Sequence, residues 1–383
     1  MDKPVIVFAA NRGYALTNSR ESLIRRFLDQ GWRVVVATAD DQESASLVSL
    51  GAVLEKVVFN RGGLSPGADW RAYRRLLAIY RRWRPRLIQH FHAKPVILGT
   101  LAARQALGDS VGISNAITGL GHAFITGGVG ARLAVLGYAA SMPRGDVAIF
   151  QNRDDRQLFL DRGWVSNDQA RLIASSGVDL ERFSVVNRAD RKERAPVIVM
   201  LGRLLKQKGI PEFVEVARRI RQRWPKARFL LAGEEDLIHP DAVSADWVRD
   251  QDGVEYLGRL SDVGPLLAQA DLLLFPSYRE GTPRVVLEAA ATGLPTVGFD
   301  VPGVREAVRD GETGFLVRDR DLDALTERVS TLLEDKTQRL AMGKAARRMV
   351  KADFDVRAIE RQYLGGYREL GLEVRGAISP WLS

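Results

Sequence analysis

The sequence predicts an α/β protein built from two doubly wound, Rossmann-like domains. Three observations carry this expectation. Short β-rich apolar runs alternate with helical patterns along the chain. The alternation pauses at one polar, charged stretch that ends in proline, and then resumes. The 383 residues are long for one domain and ample for two, and 46% apolar side chains can fill both cores.

The first set of strands reads VIVFAA (5–10), WRVVVAT (32–38), VLEKVVF (53–59), RLIQHF (86–91), VGISNAI (111–117) and DVAIFQ (146–151). Helical patterns lie between them, as at Ser19–Gln30 and Asp69–Trp83. The second set begins with VIVMLG (197–202) and a helix over Pro211–Arg223. It continues with RFLLAG (228–233), VEYLG (254–258), LLLFP (272–276), PTVGF (295–299) and GFLV (314–317). Strands alternating with helices build parallel sheets, and two sets build two domains. The expected divisions are an N-terminal domain over 1–186, a linker over 187–196 (NRADRKERAP), a C-terminal domain over 197–354, and a helix and tail over 355–383 that packs back on the N-terminal domain. The stretch 355–370 has helical periodicity that Gly365–Gly366 is expected to interrupt.

Composition removes several chemistries. With no cysteine there is no disulfide, no thiolate nucleophile and no cysteine zinc site. The histidines are His90, His92, His122 and His239, and none sits in an H-E-x-x-H pattern. The chain runs from its first residues into an apolar strand with no leader pattern, and no stretch of 18 apolar residues is present. The expected location is the cytoplasm, with peripheral contact at the cytoplasmic face of the inner membrane. Net charge is +9, unevenly spread: residues 1–190 hold 25 Lys+Arg against 17 Asp+Glu, and residues 191–383 hold 31 against 30. A basic first half either faces something anionic or is simply an arginine-rich solvated surface.

The most informative stretch is PSYREGTPRVVLEAAATG (276–293). A strand ends, a loop carries Glu280, Gly281 and Thr282, Pro283 stands where a helix starts, and Gly293 ends it. In open parallel sheets, ligands bind at that carboxyl end of the strands, and a helix N-terminus offers N–H groups and a positive dipole to a phosphate. Glu288 lies in an apolar run, so its carboxylate either points outward or finds a buried partner, such as vicinal sugar hydroxyls. A second motif, LGRLLKQKGI (201–210), places Gly202, Arg203 and Lys208 after the first strand of the second domain. Taken alone, these cations at a strand end are either an anion-binding pair or ordinary surface charge.

The E-x7-E spacing, its EGTP start and the following GLPTVGFDVPGVREAVRDGETGFLV together resemble family 4 of the retaining glycosyltransferases, over roughly Val197 to Val350. The resemblance implies the GT-B architecture, two Rossmann-like domains facing across a cleft. It implies a donor site in which Glu280 contacts the transferred sugar and Glu288 the nucleotide ribose. Backbone amides around Gly281, Thr282 and Pro283 approach sugar and phosphates, and Gly202, Arg203 and Lys208 grip the diphosphate. The implied catalytic set is Glu280, Arg203 and Lys208. The implied co-substrate is a nucleotide sugar carrying a hexose or N-acetylhexosamine, with UDP the expected nucleotide and its identity not fixed by the motifs. No cofactor or metal is expected: Asp321-Leu322-Asp323 has a D-x-D spacing but opens a helix, where Asp is an ordinary cap.

KPVILGTLAAR (94–104) and NAITGLGHAFITGG (115–128) resemble the subset that acts on polyprenyl-diphosphate-linked sugars. The implied partners are a lipid-linked glycan acceptor, such as an undecaprenyl diphosphate, and an anionic membrane surface. Acceptor-side candidates are Gly13, His92, Lys94, Thr118, Gly119 and His122. Residues 113–140 hold one arginine and no acid, and 71–86 hold seven arginines on an amphipathic helix. The apolar stretch suits either a lipid or a buried cleft, and the helix either a membrane or its own sheet. Two readings compete with transfer: a non-catalytic binder of nucleotide sugar or anionic glycolipid, and a nucleic-acid-binding protein, for which the sequence offers no module.

Overall fold

The computed structural model describes residues 3–60, 65–120, 128–189 and 194–372. The chain forms two compact units: residues 1–176 with 357–383, and residues 177–356.

In the first unit the described strands are β1 (Val5–Ala9), β2 (Arg33–Thr38), β3 (Val53–Lys56), β4 (Leu87–Phe91), β5 (Gly112–Ile117), β6 (Val147–Phe150) and β7 (Ala170–Leu172). They pair in parallel in the order β3-β2-β1-β4-β5-β6-β7. The second unit holds β8 (Val197–Leu201), β9 (Arg228–Ala232), β10 (Val254–Tyr256), β11 (Leu272–Phe275), β12 (Thr296–Phe299) and β13 (Gly314–Val317), also parallel, in the order β10-β9-β8-β11-β12-β13. The central strands β1, β4, β8 and β11 are buried nearly throughout. Strands covered by helices on both faces read as unbroken apolar runs for that reason. Each order reverses once, between β1 and β4 and between β8 and β11. Those reversals open a crevice at the carboxyl edge of each sheet.

One face of the first sheet is covered by the helices Pro66–Trp83, Ala93–Leu107 and Gly128–Ser141. Helix Pro66–Trp83 buries Ala72, Leu76, Ile79 and Tyr80 and leaves Arg71, Arg74, Arg81 and Arg82 exposed. Its apolar face therefore packs on its own sheet, and the arginines remain at the surface. The other face is covered by helix Gly13–Asp29 and by helix Val356–Glu369, whose Ile359, Tyr363, Leu364 and Tyr367 share one core with Ile6, Phe8 and Phe27. The Tyr367 hydroxyl donates to Gln89 Oε1 at 2.7 Å.

Several expectations change. Gly365 and Gly366 do not interrupt the last helix. Both are buried, and the burial of Tyr363, Leu364 and Tyr367 around them outweighs the roughly 1 kcal/mol that each glycine costs in a helix. The polar stretch 187–196 belongs to the second unit and does not divide the two. Arg188 is its anchor, 6% exposed, donating to the carbonyls of Ala270 at 3.0 Å and Leu267 at 2.7 Å. The first helix starts at Gly13, six residues before the expected Ser19, because the Asp41 carboxylate accepts the Gly13 N–H at 2.9 Å and satisfies its open end. Strand β7, three residues between polar flanks, had no periodic signal.

Candidate functional site

The site in the second unit is assembled at the carboxyl ends of the adjacent strands β8 and β11. After β8 the chain passes through Gly202 and Arg203 and closes a 3-10 turn at Lys206–Lys208. Gly209 follows at φ 80°, where a Cβ would run into the Pro276 carbonyl. Only glycine fits there, and it lets helix Ile210–Arg223 start directly behind the β11 loop.

The two motifs are tied together. Tyr278 N–H donates to Gln207 O at 3.0 Å and Ser277 Oγ lies 3.3 Å from the same oxygen. Lys208 Nζ meets Glu280 Oε1 at 2.5 Å, and Ser277 Oγ donates to that oxygen at 2.7 Å. The Lys208 and Glu280 side chains are 20% and 13% exposed, so the pair is sheltered but reachable. On the other side Glu280 N–H donates to Pro302 O at 3.0 Å. Gly303, at φ 85°, passes so close that a Cβ would meet the Glu280 and Gly281 carbonyls. Tyr278 is held further by its hydroxyl hydrogen bond to Glu212 Oε1 at 2.5 Å, with the Arg320 guanidinium 4.9 Å from its ring centre. The loop 277–283 is thus fixed from both sides, which a site needs if its donors are to be in place before substrate arrives.

Helix Arg284–Ala291 follows, with Pro283 as its cap residue and Gly281, Thr282 and Pro283 buried. Glu288 is 6% exposed. Burial pushes its carboxyl above the usual carboxylate range, while Arg284, 3.1 Å away, pulls it back. The sequence spacing i,i+4 between Arg284 and Glu288 was the available signal for that partner. Arg203 Nη1 donates to Asp236 Oδ2 at 2.9 Å, a contact with no sequence signal across 33 positions. The structure therefore brings Gly202, Arg203, Lys208, Glu280, Gly281, Thr282, Pro283 and Glu288 to one sheet edge. Asp321 accepts the Ala324 N–H at 2.9 Å and caps its helix, and Asp323 pairs with Arg219.

In the first unit, Gly13, His92, Lys94, Thr118 and Gly119 all follow the carboxyl ends of β1, β4 or β5, which are neighbours in the sheet. The Gly13 N–H is occupied by Asp41. His92 stands at φ 72° and ψ 161°, a region nearly reserved for glycine, directly before helix Ala93–Leu107. Lys94 Nζ pairs with Asp69 at 2.6 Å. Gly119 has φ 109°. His122 lies outside the described residues. His90 is buried: its Nε2 meets the Tyr80 hydroxyl at 2.9 Å and its Nδ1 meets Asn115 Oδ1 at 2.8 Å.

Residues 195–335 match the family described as Glycosyl transferases group 1. The chain is 29% identical to the N,N'-diacetylbacillosaminyl-diphospho-undecaprenol alpha-1,3-N-acetylgalactosaminyltransferase of Campylobacter jejuni, over 94% of this chain and 98% of that enzyme. It is 27% identical to the UDP-Gal:alpha-D-GlcNAc-diphosphoundecaprenol alpha-1,3-galactosyltransferase of Escherichia coli, over 54% of this chain and 55% of that one. Among solved structures, Anabaena HepE in complex with UDP and glucose superposes with a TM-score of 0.77 at 19% identity, covering 96% of this chain and 100% of that chain. The sucrose-phosphate synthase of Thermosynechococcus elongatus gives 0.79 at 21%, covering 97% and 99%.

Proposed function

We propose that this chain, a glycosyltransferase of GT-B architecture whose residues 195–335 form a group 1 glycosyltransferase domain, moves a hexose or N-acetylhexosamine from a UDP-sugar to a polyprenyl-diphosphate-linked glycan. The observation that carries the donor half is the Lys208–Glu280–Ser277 cluster at the carboxyl edge of β8 and β11, with Arg203 following the same strand β8. The acceptor half is supported by the similarity to two enzymes named for diphospho-undecaprenol substrates.

In this reading Arg203 and Lys208 take the diphosphate, Glu280 the transferred sugar, and Glu288 the ribose. The acceptor hydroxyl attacks the anomeric carbon from the face that UDP leaves. The carbon–oxygen bond to the diphosphate breaks, the new glycosidic bond forms, and the hydroxyl proton passes to a leaving phosphate oxygen. The anomeric configuration is retained, and the two cations meet the growing charge on UDP without a metal. His92, Lys94, Thr118 and Gly119 line the sheet edge assigned to the acceptor. The basic, partly apolar surface of the first unit suits an anionic membrane in which the acceptor lipid resides, on the cytoplasmic side.

The test is a mass-shift assay with purified protein, a panel of nucleotide sugars and polyprenyl-diphosphate-linked acceptors. Transfer is expected from a UDP-sugar. Lys208→Ala and Glu280→Ala are each expected to lower it at least about 100-fold, the size of losing one transition-state donor, with unchanged circular dichroism. Near-normal transfer by either variant overturns the site assignment. Donor binding without turnover on any acceptor favours a non-catalytic binder.

A further inference from the structure

The segment that follows β9 doubles back along the basic motif. Leu204 N–H donates to Glu234 O at 3.0 Å, Lys206 N–H to Asp241 O at 2.9 Å, and Val243 N–H to Leu204 O at 2.9 Å. Leu205 and Ala242 form an antiparallel bridge. The segment starts in direct contact with the motif, because a Cβ on Gly233 would run into the Gly202 carbonyl. Glu235, near the start of the segment, accepts the N–H of Ala245 just past its end at 2.7 Å and fixes the next helix. Residues 234–243 are therefore a strap laid over the backbone of Gly202–Lys206.

One side chain of the strap reaches the functional cation. Asp236 Oδ2 accepts from Arg203 Nη1 at 2.9 Å, and the carboxylate is 11% exposed where the guanidinium is 40% exposed. The sheltered acid holds the accessible base. We propose that Asp236 is a positioning residue for the donor: it fixes the plane of the Arg203 guanidinium so that the rest of its N–H fork is aimed at the diphosphate. This rests on the reading of Arg203 as a diphosphate ligand.

The physical case weighs two opposed effects. A carboxylate beside an anion site repels the anion. Against that, an arginine side chain on a flexible stem loses rotamer freedom when it grips a ligand, and a partner that fixes it beforehand removes that loss. A guanidinium has five N–H donors in one plane. The bond on Nη1 therefore sets the direction of Nε and Nη2, the edge suited to two phosphate oxygens. Among the described residues the Arg203 guanidinium has no other side-chain partner, so its orientation depends on Asp236 and the strap.

Asp236→Asn and Asp236→Ala separate the two effects. An asparagine oxygen still accepts from Nη1, whereas alanine does not. UDP affinity by calorimetry and steady-state kinetics in the donor are measured for both variants and for Arg203→Ala. The alanine variant is expected to bind UDP about tenfold more weakly and to show the loss mainly in the donor KM. The asparagine variant is expected to recover most of it. UDP binding by Asp236→Ala that equals or exceeds that of the unaltered protein overturns the proposal, because Asp236 then competes with the diphosphate. Equal impairment of both variants also overturns it, since charge and not geometry is then the cause. If the unaltered protein binds no UDP, the reading beneath it fails as well, and that outcome is distinguishable from the other two.

Discussion

Glu280 and Glu288 have the same chemistry and opposite settings. Glu280 sits in a loop against Lys208 and Ser277, while Glu288 lies in a buried helical turn against Arg284. Their spacing, the EGTP start and the distant Arg203–Lys208 motif were legible in the sequence. Ser277, Tyr278 and Asp236 were not, because their roles come from contacts across a sheet edge that no local pattern records. His90 shows the same limit: its strand position was readable, but not its burial between Tyr80 and Asn115. Burial holds the imidazole pKa down from 6.5 to about 4. Above pH 6.5 both folded and unfolded chains are neutral here, and stability is full. As the pH falls from 6.5 toward 4, the unfolded chain takes a proton that the fold refuses. Stability then drops by up to about 1.4 kcal/mol per pH unit. Between pH 7.5 and pH 5 the unaltered protein is therefore expected to lose about 2 kcal/mol more than His90→Gln, measured by denaturant unfolding. Equal losses in the two proteins would show that His90 does not carry this dependence.

At the scale of elements, the parallel strands and crossover helices were legible because hydrophobic periodicity is local. What was not legible is how much tertiary packing overrides local propensity. Gly365–Gly366 reads as a break, yet helix Val356–Glu369 runs through it, with Tyr363, Leu364 and Tyr367 buried at 1%, 0% and 1% exposure. Arg26 adds an ion pair to Glu360 at 2.8 Å, and Arg171 one to Glu369 at 2.8 Å. Both pairs are partly exposed and contribute at most about 1 kcal/mol each. The apolar face therefore does most of the holding. Leu364→Ala removes a fully buried side chain from the core shared with Phe8 and Phe27. It is expected to destabilise the first unit by about 2–5 kcal/mol. Hydrogen exchange checks this by location. Amides of β1 and β4 should exchange faster, and those of β8 and β11 should be unchanged. Equal acceleration in both units would mean that they unfold as one.

Charge divides along the same line as the fold. The residues of the first unit include 27 Lys+Arg and 17 Asp+Glu, a net +10, whereas the second unit holds 29 against 30. The second unit has no excess charge because its cations are matched by acids: Arg203 by Asp236, Lys208 by Glu280, Arg284 by Glu288. The excess of the first unit lies partly on the outer face of helix Pro66–Trp83, where Trp70 is also 59% exposed. Beyond helix Ala93–Leu107, helix Gly128–Ser141 exposes Val129, Leu133 and Leu136 at 67%, 45% and 63%, spaced i, i+4 and i+7 on one face. Arginines with an apolar strip fit a surface that is anionic outside and apolar beneath. Each arginine near such a surface contributes about 1 kcal/mol, and salt removes that contribution as the Debye length shrinks from about 10 Å at 0.1 M to 3 Å at 1 M. The protein is therefore expected to sediment with phosphatidylglycerol-containing vesicles at low salt, to release in 1 M salt, and to ignore vesicles of phosphatidylcholine alone. Leu133→Glu with Leu136→Glu should weaken the low-salt binding while leaving UDP affinity intact, because these residues lie in the first unit and Arg203, Lys208 and Glu280 in the second. Full binding by that double variant would confine the attraction to the arginines, and equal binding to both kinds of vesicle would rule out charge as its source.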